Sequence, residues 1–175
     1  MVINSSMRYH EIMSETSAPI KKPKFLYHGT AKQFVPAIVS TGLEPRVGAY
    51  TQNWYGHRSD KLQPLVFAAD KRRIGDCILA MFAAGKITDK MISMDDFLTV
   101  AALVVLPSDT FQRRQGKFDK NHPIQVESRD WYSIEPVKTI KVIMDEELRG
   151  LIGPYFHEAK VGWFGVPSEF DSASY

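Results

Sequence analysis

Thr99–Leu106 reads Thr-Val-Ala-Ala-Leu-Val-Val-Leu, with no polar side chain after the first. Successive strand residues point to opposite faces, so a strand that is apolar throughout needs cover on both sides. Pro107-Ser108-Asp109 breaks it. A chain built around such a strand needs layers above and below it, and 175 residues are enough for one domain of that kind but not comfortably for two. Hydrophobic residues make up 44% and charged residues 24%, the ordinary balance of a globular protein. A net charge of +2 gives no electrostatic argument for nucleic acid. The single cysteine, Cys77, excludes an internal disulfide and a cysteine-rich zinc site, and it sits in an apolar helical pattern as a small core residue would. No apolar run approaches the length of a membrane helix, and the N-terminus lacks the basic and long apolar regions of a secretory signal. Cytoplasmic residence is the expectation.

Residues 1–23 read as a flexible N-terminal tail ending in the basic Lys21-Lys22-Pro23-Lys24. Residues 24–152 read as the folded domain and 153–175 as a C-terminal extension rich in aromatics, glycine and proline. Within the domain, Phe25–His28 reads as a strand. Thr30 suits the N-cap of a helix over Ala31–Ser40, with Phe34, Ile38 and Val39 at helical spacing and Gly42 as its stop. Leu65–Ala69 is a short apolar strand. Asp70 caps a helix over Lys71–Ala84 whose buried stripe is Ile74, Cys77, Ile78, Met81 and Phe82. Lys86–Phe97 reads as an irregular or weakly helical connection and Gln112–His122 as a polar loop. Ile124–Glu127, Trp131–Ile134 and Val137–Ile143 are strand candidates, and Asp145 caps a short helix over Glu146–Leu151. Five or six short strands with two or three helices, segregated rather than alternating, make the fold class α+β.

Two stretches carry chemistry. Phe25-Leu26-Tyr27-His28-Gly29-Thr30 is an apolar strand ending in an imidazole, a residue without a Cβ and a hydroxyl. That order suits a strand edge opening onto a pocket. The bland alternative is a satisfied edge histidine followed by a helix cap. The second stretch, residues 46–64, is a long polar and aromatic segment containing Arg46, Tyr50, Trp54, Tyr55, His57 and Arg58. A loop of this length inside a domain is usually functional or mobile.

The order strand, His-Gly-Thr, helix ending in Gly-Leu, loop, Val-Phe-Ala-Ala-Asp, helix resembles the ADP-ribosyltransferase superfamily, in its diphtheria-toxin-like and poly(ADP-ribose)-polymerase-like branch. The resemblance spans about Phe25 to Ile143. It implies a split antiparallel β-sheet with flanking short helices, enclosing a cleft that binds NAD as substrate, and a His–Tyr–Glu signature with each member on a different strand. His28 would hydrogen-bond the ribose 2′-hydroxyl of the adenosine. Gly29 would pair through its backbone with the nicotinamide amide, and Thr30 would touch the ligand beside it. The tyrosine position aligns with Val66, a departure from the pattern. Phe67, Tyr50 or Tyr55 could supply the missing ring, and Arg46 could hold the pyrophosphate. The carboxylate is Glu127, within Gln125-Val126-Glu127, with Asp130 as its rival. Such a carboxylate stabilises the positive charge that develops on ribose as the nicotinamide bond breaks.

Three functions compete on these residues. The first is a mono-ADP-ribosyltransferase acting on an unknown protein, nucleic acid or small-molecule acceptor. The second is an NAD-dependent RNA 2′-phosphotransferase, a relative that normally needs further histidines and arginines. The third is a non-catalytic module that binds NAD or ADP-ribose.

Overall fold

The computed structural model describes residues 21–46, 64–113 and 131–165. The candidate strand Ile124–Glu127, with Glu127 and Asp130, and the loop residues Tyr50, Tyr55, His57 and Arg58 lie outside the described residues. Among those described, two three-stranded antiparallel sheets and four helices form a mixed architecture compatible with α+β.

The first sheet has the order β1 (Phe25–Ala31), β3 (Ala101–Pro107), β6 (Lys141–Ile143). β1 pairs with β3 along its whole length, from Phe25↔Pro107 to Ala31↔Ala101. The second sheet has the order β2 (Val66–Ala68), β5 (Trp131–Ser133), β4 (Gln112–Arg113). β3 explains its own composition. Ala101, Leu103 and Val105 pack under the helices α2 (Ile74–Ala84), α3 (Met94–Val100) and α4 (Asp145–Phe164). Val104 and Leu106 face the other way, into a second cluster with Leu26, Val66, Ala68, Phe111 and Trp131. The central strand is therefore covered by helices on one face and by the second sheet on the other, which is why no polar residue interrupts it.

The α2 stripe of Ile74, Cys77, Ile78, Met81 and Phe82 is buried as its spacing requires. Phe82 packs against Phe97 at 4.8 Å between centroids and lies stacked with Phe156 and Trp163. Such ring pairs add to the burial each aromatic already contributes. Asp70 caps the single 3₁₀ turn that leads into α2, accepting the Arg72 N–H at 2.8 Å. Burial works to raise its pKa, but the Arg72 hydrogen bonds and charge outweigh that and hold the carboxyl below the ordinary range. Asp70→Ala should cost about 1 kcal/mol, the usual value of a lost N-cap. The midpoint of urea unfolding measures it, and an unchanged midpoint would remove the cap from the account.

Several boundaries differ from the sequence expectation. β1 runs on through Ala31, so Thr30 is a strand residue and caps nothing. A 3₁₀ turn, Lys32–Phe34, precedes α1 (Val35–Thr41). Thr99 and Val100 close α3, a regular helix capped by Ser93 that begins within the Lys86–Phe97 stretch read as irregular or weakly helical. Gln112–Arg113 is a strand rather than a loop. Only Lys141–Ile143 of the closing segment is strand, while Val137 makes a separate bridge to Leu43. The short helix over Glu146–Leu151 is instead the 20-residue α4, which runs through Gly153 and Pro154. Pro154 removes one ladder bond. Leu148, Ile152, Phe156 and Ala159 nevertheless recur every three to four residues and bury against the helical core, which keeps the helix going. No described helix is long and apolar enough to cross a membrane.

Candidate functional site

The two sheets meet at one point and then part. Tyr27 and Ala69 exchange two backbone hydrogen bonds of 2.9 Å each. Beyond this bridge, β1 and β2 diverge. Because strand residues bond alternately to left and right, the N–H and C=O of Gly29 point to the same side as those of Tyr27, toward the opening. In an unbroken ladder Gly29 would face Phe67. The Phe67 carbonyl instead accepts from His28 Nδ1 at 2.7 Å. The imidazole thus takes the position of the missing ladder bond, and no described residue pairs with the Gly29 backbone on that side.

The parting of the strands opens a cleft of about 460 Å³, within the range of small-molecule sites. Tyr27–Thr30 of β1 form its floor, and Phe34, Ala37, Ile38 and Thr41 form one wall. Leu65–Ala69 and the Asp76, Cys77 and Ala80 side of α2 complete it, with Glu44 and Arg46 at the rim. The lining is mainly apolar, with a few polar groups converging near the end of β1. A small ligand site has this character.

The electrostatics of His28 follow from its contacts. A carbonyl oxygen only accepts, so Nδ1 carries the proton. Burial lowers the pKa, and the bond to Phe67 raises it by less. The ring is therefore neutral at neutral pH, with Nε2 left as an acceptor for a ligand hydroxyl or N–H. Alternation along β1 places Thr30 on the same face as His28. Thr30 is only 4% exposed, lines the cleft and makes no hydrogen bond among the described residues.

Gly29 has a second reason to be glycine. A Cβ there would stand 1.9 Å from the Cys77 carbonyl oxygen of α2. The missing side chain lets the helix sit directly on β1, with the Cys77 thiol donating to the Tyr27 carbonyl at 3.3 Å. The glycine thus admits α2 on one side while its backbone edge is bare toward the cleft.

Of the residues singled out from the sequence, His28, Gly29, Thr30, Phe67 and Arg46 border one cleft. Arg46 is held at the rim by paired backbone bonds to Leu65, and its side chain is exposed. Val66, at the tyrosine position, lines the cleft but is only 3% exposed and belongs to the core cluster between the sheets, whereas Phe67 beside it is half-buried. Three aromatic rings border the space among the described residues: Tyr27, Phe34 and Phe67. Sequence reasoning passed over Tyr27 as a strand residue and Phe34 as helix core. It also passed over Asp76. An acid in a first helical turn has an ordinary explanation in the helix dipole, which hid its place in the cleft.

No protein-family model, no curated protein and no solved structure matches the chain.

Proposed function

We propose that the chain is an NAD-dependent mono-ADP-ribosyltransferase of the split-sheet kind, with NAD in the cleft between β1 and β2. The observation that carries this reading is the parting of the strands at Gly29, where His28 Nδ1 satisfies the Phe67 carbonyl. The backbone N–H and C=O of Gly29, unpaired among the described residues, form a matched donor and acceptor for a primary carboxamide, such as that of nicotinamide. The neutral Nε2 of His28 suits a ribose hydroxyl. Phe67, Phe34 or Tyr27 offers the ring face against which a flat heterocycle packs.

In the proposed reaction the bond between ribose C1′ and the nicotinamide nitrogen breaks, and its electron pair leaves with nicotinamide. Positive charge develops on the ribose. A carboxylate, Glu127 or Asp130, stabilises it and takes the proton of the acceptor as the acceptor's oxygen, nitrogen or sulfur bonds to C1′. The burial of Val66 favours a second reading, a module that binds NAD or ADP-ribose without turnover, because no tyrosine stands at that strand position.

Incubation with NAD and measurement of free nicotinamide separates the two. Release above that of the His28→Ala variant supports transfer or hydrolysis. Calorimetric binding without release supports the module. Neither binding nor release, with several acceptors supplied, would end both.

A further inference from the structure

Asp76 is an acid in an otherwise mainly apolar cleft wall. It occupies the first turn of α2, borders the cleft, and accepts from Arg73 Nε at 2.8 Å. Its side chain is 26% exposed, so it is neither sealed in the core nor fully solvated. The next residue, Cys77, lies directly against Gly29. A Cβ on Gly29 would be 3.0 Å from the Cys77 Cα. One residue along the chain adds 3.8 Å, which puts the Asp76 Cα within about 8 Å of that of Gly29. Asp76 therefore lines the same cleft as Thr30 and as the Gly29 backbone edge, which is unpaired among the described residues.

From this juxtaposition we infer that the Asp76–Arg73 pair is a charge-specificity element of the cleft. Asp76 favours a ligand whose ring beside Gly29 carries a positive charge, and Arg73 tempers that preference by sharing the carboxylate. The inference rests on the reading of the cleft as an NAD site and adds a property to it. The oxidised pyridinium ring is preferred over the uncharged dihydropyridine ring, and the attraction ends when cleavage turns the pyridinium into neutral nicotinamide. A unit charge several ångströms from a partly buried carboxylate is attracted far more than in bulk water, and part of that attraction survives physiological salt.

The two members of the pair predict opposite changes. Asp76→Asn removes the negative charge from the cleft wall. Arg73→Gln leaves the carboxylate unshared. The full-length chain is titrated calorimetrically with carbocyclic NAD, which keeps the pyridinium charge but cannot be cleaved, and with NADH. The ratio of the two affinities is the readout, because it cancels what both dinucleotides share. The wild type should favour the oxidised form. Asp76→Asn should lower the ratio by about three- to tenfold and Arg73→Gln should raise it. Binding of both dinucleotides with a ratio unmoved by either variant would overturn the charge preference and leave the NAD site standing. Failure of the wild type to bind either one would overturn the site reading and this inference with it. Circular dichroism of the two variants, whose altered side chains are partly exposed, checks that each is folded.

Discussion

Gly29→Ala should lower the melting temperature by about 6 to 12 °C, the equivalent of about 3 kcal/mol in a domain of this size. The added methyl would meet the Cys77 carbonyl oxygen at 1.9 Å, and that atom is helix backbone rather than the movable end of a side chain. α2 cannot retreat on its own. Its Ile74, Ile78, Met81 and Phe82 are all buried to within 1% against β3, α3 and α4, so any shift opens the core. The other option is for β1 to move. β1 is paired with β3 over seven residues and bridged to Ala69 through Tyr27, so its displacement costs ladder bonds. Gly150→Ala is the matched control. A Cβ there meets nothing within 4 Å, and alanine is the better helix former, so this variant should gain up to about 1 kcal/mol. Thermal melts followed by circular dichroism make the comparison. If Gly29→Ala melts within a degree or two of the wild type, the close contact between β1 and α2 is not what requires the glycine.

His28 should give the chain an acid limb in its stability that begins near pH 6.5. Burial holds its pKa below the ordinary histidine value, with the Phe67 bond opposing this only in part. The folded chain therefore binds the histidine proton more weakly than the unfolded chain does. The stabilisation is complete above the unfolded value of about 6.5 and is lost as pH falls toward the folded pKa. The slope in that window approaches about 1.4 kcal/mol per pH unit for one such group. His28→Gln retains an amide that can donate to the Phe67 carbonyl but has no proton to gain, so its curve should lack this limb. Urea unfolding midpoints from pH 7.5 to 5 read it out, and parallel curves for wild type and variant would contradict the burial argument. The same protonation removes the Nε2 acceptor. NAD binding, if the cleft holds it, should weaken over the same interval.

The elements with strong periodicity were legible. The α2 stripe and the two-faced β3 follow from side-chain spacing alone, because burial of apolar surface dominates the energetics of both. α3 was legible only as an irregular or weakly helical stretch because its apolar residues Phe97, Leu98 and Val100 merge with the strand that follows. Only Ser93, accepting from the Asp96 N–H, marks where it starts. α4 was cut short by Gly153-Pro154, a local stop signal. Leu148, Ile152, Phe156 and Ala159 override it through contacts with residues more than 60 positions away in sequence.

The candidate site divides in the same way. The residue order around His28-Gly29-Thr30 suited a strand edge opening onto a pocket, because an imidazole, a missing Cβ and a hydroxyl follow an apolar run, but a satisfied edge histidine and a helix cap fitted the same order. Tertiary structure decided everything that depends on the second sheet. The strands part after Tyr27–Ala69 and Phe67 bonds to an imidazole instead of to backbone. Val66 is buried in the core cluster at the cleft's lining while Phe67 stays half-exposed there, and α2 brings Asp76 into the same cleft as Gly29. Sequence by itself marked His28, Gly29, Thr30, Phe67 and Arg46 as pocket candidates, since their chemistry and spacing are local, but not Tyr27, Phe34 or Asp76. Their arrangement came from two antiparallel sheets sharing one bridge, a long-range pairing whose geometry no local pattern encodes.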